Sequence, residues 1–395
     1  MSSDWIELTL GRSCSKIGSG ATPRGGANAY VENGVAVLIR SQNVHNGRFM
    51  RAGLVGISEA DADKLTGAAA LPGDVLLNIT GDSVARGCMA PGNLGEARVS
   101  QHVAILRARR EVLIPAYLMY WLVSPSTQHY LLQLASAGAT RNALTKGMLE
   151  GLILRAPDVA KQKEIVEILG ALDSKIDSND RLAVTLEQVG LTEFSRRFGD
   201  LTPDGGDTSE GSLQAGVLGD LVDVCMGQSP PGSSYTPDHE VGLLLVQGNG
   251  GFGVRYPAAD VYTTHPSKVA FAGDTLMTVR APVGAVNVAH SELCIGRGVA
   301  ALRSPFPAFT EFLVRSLEPR WSSEESGTIF GAVNRDQIAG LPVGIPEEKE
   351  VADFEAFARP LIEKLFALHV ESARWTRLRD ALLPGIMRGT IDVLS

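Results

Sequence analysis

The sequence predicts an α+β protein: two similar mixed α/β domains with β-rich cores, each followed by a long helix, in a pseudo-twofold internal repeat. Three observations predict it. A Gly-Asp phrase followed by an apolar run occurs twice, as LPGDVLLNIT (71–80) and FAGDTLMTVR (271–280). The blocks around each phrase recur in one order, as expected of a duplicated unit. Each series closes on a long apolar stripe with heptad spacing.

Taken in chain order, each cycle begins with Leu-Gly (Leu10-Gly11, Leu218-Gly219) and reaches a Gly and Ser/Thr-Pro turn, GSGATPRGG (18–26) and GQSPPGSSY (227–235). An apolar strand ending in a polar cluster follows, VAVLIRSQNV (35–44) and VGLLLVQGNG (241–250). The Gly-Asp phrase reads as a tight turn feeding a half-buried strand, because Asp after Gly can accept from nearby backbone amides. SQHVAILRA (100–108) then matches GRGVAALRS (296–304), and a short helix is expected at PAYLMYWLVS and at PAFTEFLVRS. A Gly-rich loop ends each domain, SAGATRNALTKGMLEGL (136–152) and ESGTIFGAVNRDQIAGL (325–341).

In the first closing stripe, Ile165, Leu169, Leu172, Ile176, Ala183 and Leu186 step by four and three, with Asn179 in one slot. In the second, Val351, Phe354, Ala358, Leu361, Leu365, Leu368, Ser372, Trp375 and Leu382 do so, with Arg379 in one slot. Such a seam belongs to helices that pack along their length. A helix from Val159 to Arg197 would run roughly 55 Å, too long to lie on one small domain. Pro360 lacks an amide proton, so a kink or a fresh helix start is expected near Arg359. The boundaries that follow are a domain at 1–157, a helix at 158–200, an exposed flexible linker at 201–212, a domain at 213–346 and a helix at 347–395.

No stretch approaches the roughly 20 apolar residues of a membrane span, and the N-terminus does not read as a signal sequence. Cys14, Cys88, Cys225 and Cys294 lie far apart, so neither a disulfide framework nor a zinc site is expected and a reducing cytoplasm is. The net charge of −8 is uneven. Residues 1–157 carry +4, with 15 Lys/Arg against 11 Asp/Glu, whereas residues 212–346 carry −4, with 8 against 12. A protein gripping nucleic acid by bulk charge would be basic throughout. Binding to DNA would rest on placed contacts or on a basic partner.

Catalytic motifs are scarce. Gly248-x-Gly250-x-x-Gly253 matches a dinucleotide fingerprint, but Pro257 and a β-rich composition follow where a helix is required. No phosphate-binding loop and no His-Glu-x-x-His motif occurs; His102, in a strand-like run, reads as a structural histidine. Asp74 and Asp274 recur together and read as turn residues, the alternative being paired carboxylates of a pseudo-symmetric enzyme. What remains is polar and basic residues on expected loops at matching places. The first cycle offers Lys16, Arg24, Arg40, Gln42, Asn43, Arg86, Arg141 and Asn142. The second offers Gln228, Gln247, Asn249, Arg255, Arg280, Arg297, Asn334 and Arg335. Arg, Gln and Asn read guanine and adenine edges by paired hydrogen bonds, so two similar platforms carrying different readers suit two short DNA sequences.

Over its whole length the chain resembles the specificity subunit of Type I restriction-modification systems. The resemblance rests on the Gly-x-Ser/Thr-Pro turns at 20–23 and 227–230, the Gly-Asp-x-Leu strands at 73–76 and 273–276, and the Gly-rich loops. LEGLILRAP (149–157) and IAGLPVGIP (338–346) look like the family's lead into its helices, and LRDALLPGIMRG (378–389) like its ending. The resemblance implies two target-recognition domains separated by two helices packed as an antiparallel coiled coil that sets a spacer. It implies a non-catalytic chain that reads double-stranded DNA in two parts. The implied partners are two modification subunits that methylate adenine with S-adenosylmethionine, and two restriction subunits that use ATP and Mg2+. An assembly scaffold without DNA readout is the alternative.

Overall fold

The computed structural model describes residues 5–137, 142–199, 201, 213–322 and 331–391. The chain divides into two compact units, Met1–Asp177 with Ala373–Ser395, and Ser178–Ser372.

The first unit is layered on a four-stranded antiparallel sheet in the order Gly87–Met89, Val75–Asn78, Val103–Ala108, Cys14–Ser19. The Gly-Asp strand lies inside this sheet. All four residues of Val75–Asn78 are buried, so the half-buried strand expected from the sequence is covered on both faces. Val75 and Leu77 face one core with Tyr117 and Leu118, while Leu76 faces another with Ile39 and Val99. Each of these side chains contributes about 1.5–3 kcal/mol on burial. The second face packs on a five-stranded sheet, Tyr30–Val31, Val55–Ile57, Ala36–Ile39, Ala97–Val99, Ala69–Ala70, whose one parallel pair is Ala36–Ile39 with Ala97–Val99.

The expected short helix is present as Pro115–Val123, with proline at its first position, where no amide bond is lost. It stops at Ser124, which precedes Pro125 and is held extended, and a second helix Pro125–Ser136 begins.

The second unit repeats the four- and five-stranded sheets of this plan and, among the described residues, lacks the small hairpin Val44–His45/Arg48–Phe49 of the first. Its four-stranded sheet is Asp223–Met226, Val299–Arg303, Thr275–Thr278, Val286–Val288. Its five-stranded sheet again holds one parallel pair, Leu243–Val246 with Leu293–Ile295. The helix Pro307–Ser316 takes the place of Pro115–Val123. At both Gly-Asp turns glycine has positive φ, 84° at Gly73 and 92° at Gly273, which explains the residue type at each.

The two long helices are Val159–Phe198 and Glu348–Arg388. Asp158 accepts from the Lys161 amide at 2.9 Å to start the first, and Glu348 and Glu350 sit in the first turn of the second. Each stops at a glycine of positive φ, Gly199 and Gly389. Within each unit the two helices run antiparallel. In the first, Asp173 pairs with Arg379 at 2.9 Å, and Ile165 and Leu169 share a core with Leu383, Ile386 and Met387. In the second, Asn179 donates to Glu371 at 2.9 Å, and Phe194 packs edge-on against Phe354. The two polar residues that interrupt the stripes are thus cross-helix partners. Of the seam residues, Ile165, Leu169, Leu365 and Leu368 are buried, whereas Leu172, Ile176, Leu186, Leu361, Trp375 and Leu382 are half-buried.

Two expectations need correction. The second helix is continuous through Pro360 with no fresh start at Arg359, the packing of Phe354, Ala358 and Leu365 on either side outweighing one lost hydrogen bond. Leu201, placed in the expected linker, is instead fully buried in the core of the second unit, and its carbonyl accepts from Gly344 at 2.9 Å. Residues 202–212 lie outside the described residues.

Candidate nucleic-acid interface

The ends of the strands sort the candidate residues. In the first unit, strand Val75–Asn78 begins at the Gly-Asp turn and ends at Thr80. At the turn end, Asp74 is buried; its carboxylate accepts from the Leu71 amide at 2.7 Å and from Arg107 at 2.7 and 2.8 Å. The hydrogen bond to Asp74 holds the Arg107 pKa above the ordinary arginine value. Asp274 does the same with the Phe271 amide at 2.8 Å and with Arg303, at 2.8 Å from its Nε. Both aspartates are structural pins with their lone pairs occupied, and the paired-carboxylate alternative loses its acids. Lys16 lies at this end, donating to the Ala69 carbonyl at 3.3 Å; burial, then the nearby Arg107 charge, lowers its pKa. It is therefore apart from most of the other candidates.

The opposite end collects most of the remaining candidates. Arg40 and Gln42 follow strand Ala36–Ile39 and both reach the Gly53 carbonyl, Arg40 at 2.5 Å and Gln42 at 3.3 Å. Buried Asn78 ties this loop to the strand end by donating to the Ser41 carbonyl at 2.9 Å. Arg86 is exposed, and its carbonyl accepts from the Asn78 amide at 2.8 Å. Exposed Asn142 accepts through its carbonyl from Gly81, beside the bridge between Thr80 and Ala143. Arg24 is exposed on the turn after Ser19, and Arg141 lies outside the described residues. In the second unit Gln228, Gln247, Asn249, Arg280 and Arg297 are all exposed at the corresponding strand ends. Their backbones interlock: Gly298 donates to the Gln247 carbonyl at 3.1 Å, Gln228 to the Ile295 carbonyl at 2.9 Å, and Val279 to the Gly298 carbonyl at 2.9 Å.

Four candidates are placed otherwise. Asn43 is fully buried, accepting from the Arg40 amide at 2.9 Å and donating to the Met50 and Ala52 carbonyls, so it shapes the loop from within. Arg255 is buried in an ion cluster with Glu187 and Glu311, where no base edge could reach it. Asn334 caps the helix Arg335–Ala339 by accepting from the Gln337 amide at 2.9 Å, and Arg335 donates to the Val224 carbonyl at 3.1 Å. The capping threonine Thr145 and Lys146 occupy those places in the first unit, so Asn334 and Arg335 do not match Arg141 and Asn142.

Sequence reasoning passed over Thr80 and Gln101 and read His102 as a structural histidine. His102 is instead exposed at this end, with Nδ1 2.6 Å from Thr80 Oγ1 and Nε2 3.2 Å from Gln101 Nε2. The signal was available: the matched blocks set Gln101 opposite Arg297 and His102 opposite Gly298, which is variation rather than a shared core residue. The fingerprint at Gly248 is not a nucleotide site, since only a 3-10 turn of three residues, Asn249–Gly251, follows it. Among the described residues no cluster of His, Cys, Asp and Glu could hold a metal, and no helix is long and apolar enough to cross a membrane.

Residues 3–188 match the family described as the Type I restriction modification DNA specificity domain. Among curated relatives, the chain is 27% identical over 272 residues to the putative type I restriction enzyme MjaX specificity subunit of Methanocaldococcus jannaschii, covering 64% of this chain and 63% of that one. It is 27% identical over 202 residues to the type I restriction enzyme HindI specificity subunit of Haemophilus influenzae, covering 51% of this chain. The matches thus span about three fifths and two fifths of those relatives' own lengths, 63% and 42%. The fold is shared with a crystal structure of a Type I restriction-modification S subunit from M. genitalium, at TM-score 0.59 and 12% identity, covering 97% of this chain and 96% of that one.

Proposed function

We propose that the chain is a specificity subunit of a Type I restriction-modification system and that it reads a bipartite double-stranded DNA target, one half with each recognition domain. The observation that carries this reading is one domain built twice, with different polar side chains gathered at the same strand end of each copy. Identical frames hold the readers; non-identical readers select different bases. The antiparallel helices set the gap between the half-sites. The chain catalyses no step itself. It scaffolds two modification subunits, which would methylate adenine with S-adenosylmethionine, and two restriction subunits, which would use ATP and Mg2+. The acidic balance of residues 212–346 argues that these partners supply most phosphate contacts and that the chain alone binds DNA weakly.

Co-expression with the modification subunit, followed by mapping of methylated adenines across a genome, tests the reading. A two-part motif with a fixed gap is expected, and exchange of residues 1–157 for those of another specificity subunit should change one half only. A contiguous motif, or none, would sink it.

A further inference from the structure

We propose that Arg280 reads a guanine in the half-site of the second domain, and that Thr80 with His102 fills the same reading position in the first. The inference rests on the functional reading above and names residues within it.

The equivalence of the two positions follows from the backbone. Thr80 bridges Ala143, and Arg280 bridges Ala332. Ile79 donates to the His102 carbonyl at 3.0 Å and Val279 to the Gly298 carbonyl at 2.9 Å. Leu144 donates to Ile79, and Val333 to Val279. Positions 80 and 102 of the first domain are therefore 280 and 298 of the second. In the first, the His102 imidazole is hydrogen-bonded to both the Thr80 hydroxyl and the Gln101 amide. In the second, position 298 has no room for a side chain, because a Cβ there would meet the Gln247 carbonyl oxygen at 2.3 Å. Arg280 stands at this place without the imidazole neighbour.

Residues 213–346 contain seven arginines. Arg255, Arg303 and Arg315 are held by carboxylates, and Arg320 and Arg335 by backbone carbonyls. Arg280 and Arg297 are left with no side-chain partner among the described residues, and both sit at the reading end. Arg280 is the better held of the two: its own backbone bridges Ala332, and buried Val279 precedes it. A guanidinium only donates, in a rigid fork. Guanine alone among the bases presents two adjacent acceptors, O6 and N7, in the major groove. The Thr80 hydroxyl and the Gln101 amide can each donate and accept, so the first domain carries no such restriction.

The test uses the complex with its modification subunits and compares methylation rates on targets carrying each base at every second half-site position. The wild type should require guanine at one position, and Arg280→Ala should shrink that preference by about 10-fold or more while leaving the first half-site unchanged. Arg280→Lys, which keeps the charge but not the fork, should also lose the preference. A second half-site without guanine, or an Arg280→Ala variant that slows every sequence equally as a phosphate contact would, overturns the proposal. A wild-type complex that writes no two-part motif would overturn the functional reading itself. Because Arg280 is exposed, unchanged thermal unfolding of the variant separates a lost contact from a lost fold.

Discussion

The helix that starts at Pro115 in the first unit and at Pro307 in the second carries Met119 in one and Glu311 in the other, both buried. Met119 belongs to the apolar core of the first unit. Around Glu311 stand Arg255 and Arg315, with Glu187 of the first long helix bonded to both arginines. Burial works against the Arg315 charge, but Glu311 and Glu187 outweigh it and its pKa ends above the ordinary value. The first unit has its polar contact to the helices elsewhere, where Tyr120 donates to Asp173 at 2.6 Å and Arg379 pairs with the same carboxylate. Burial, and then the Asp173 hydrogen bond, raise the Tyr120 pKa. One backbone plan therefore tolerates two solutions for docking a recognition domain on the long helices, provided that each buried charge keeps its partner.

Replacing Glu311 with the methionine of the first unit should break this comparison most sharply. Glu311→Met leaves Glu187 as the one carboxylate bonded to two buried guanidinium groups, Arg255 and Arg315, at a cost of about 3–5 kcal/mol. Hydrogen exchange on the full chain should show protection lost in residues 213–372 and kept in residues 5–137. Equal loss in both units, or in neither, would mean that the ion cluster does not stabilise the second unit separately.

A smaller effect separates two asparagines that the sequence makes look alike. Asn43→Ala removes three hydrogen bonds inside the first reading loop and should cost about 1–3 kcal/mol in denaturant unfolding. Asn249→Ala, at an exposed site in the second, should stay within about 0.5 kcal/mol. Comparable costs would contradict the placement of Asn43.

The smallest effect concerns acid. In the second unit His369 stacks on Tyr256 with ring centroids 4.6 Å apart, and His290 lies on the same tyrosine at 6.3 Å. Burial lowers the pKa of both, with the His290 charge adding to the effect at His369 and Asp180 opposing it. The unfolded chain therefore takes up these protons first as pH falls below about 6.5, and the second unit loses stability from there downward. Exchange measured between pH 7 and pH 5.5 should show residues 255–290 loosening, and His290→Asn with His369→Gln should remove that dependence. An unchanged slope in the double variant would assign the acid lability to other groups.

Much was legible before the fold. The repeat was legible from matching blocks about 200 positions apart, while the turn glycines Gly73 and Gly273, the two proline-started helices and the two long helices come from patterns within about forty residues of chain. The heptad gaps at Asn179 and Arg379 were visible as gaps, though not as the partners of Glu371 and Asp173. The candidate face was legible in part: Gln228, Gln247, Arg280 and Arg297 are exposed together at one end of the strands, whereas Asn43 and Arg255 are buried and Asn334 and Arg335 are bonded to backbone groups. Polarity on an expected loop does not say whether the side chain points to solvent or satisfies a buried backbone, and both are common uses of Asn and Arg.

By itself the sequence determined which segments become strands, turns and helices and that the plan is used twice, because periodicity and turn chemistry act between near neighbours. The tertiary structure alone decided which arginines find a side-chain partner among the described residues. Arg255 is pinned by carboxylates brought from positions 187 and 311, and Arg280 has no imidazole beside it because position 298 is glycine. Electrostatic partnership is a property of distance in space, which chain order does not contain.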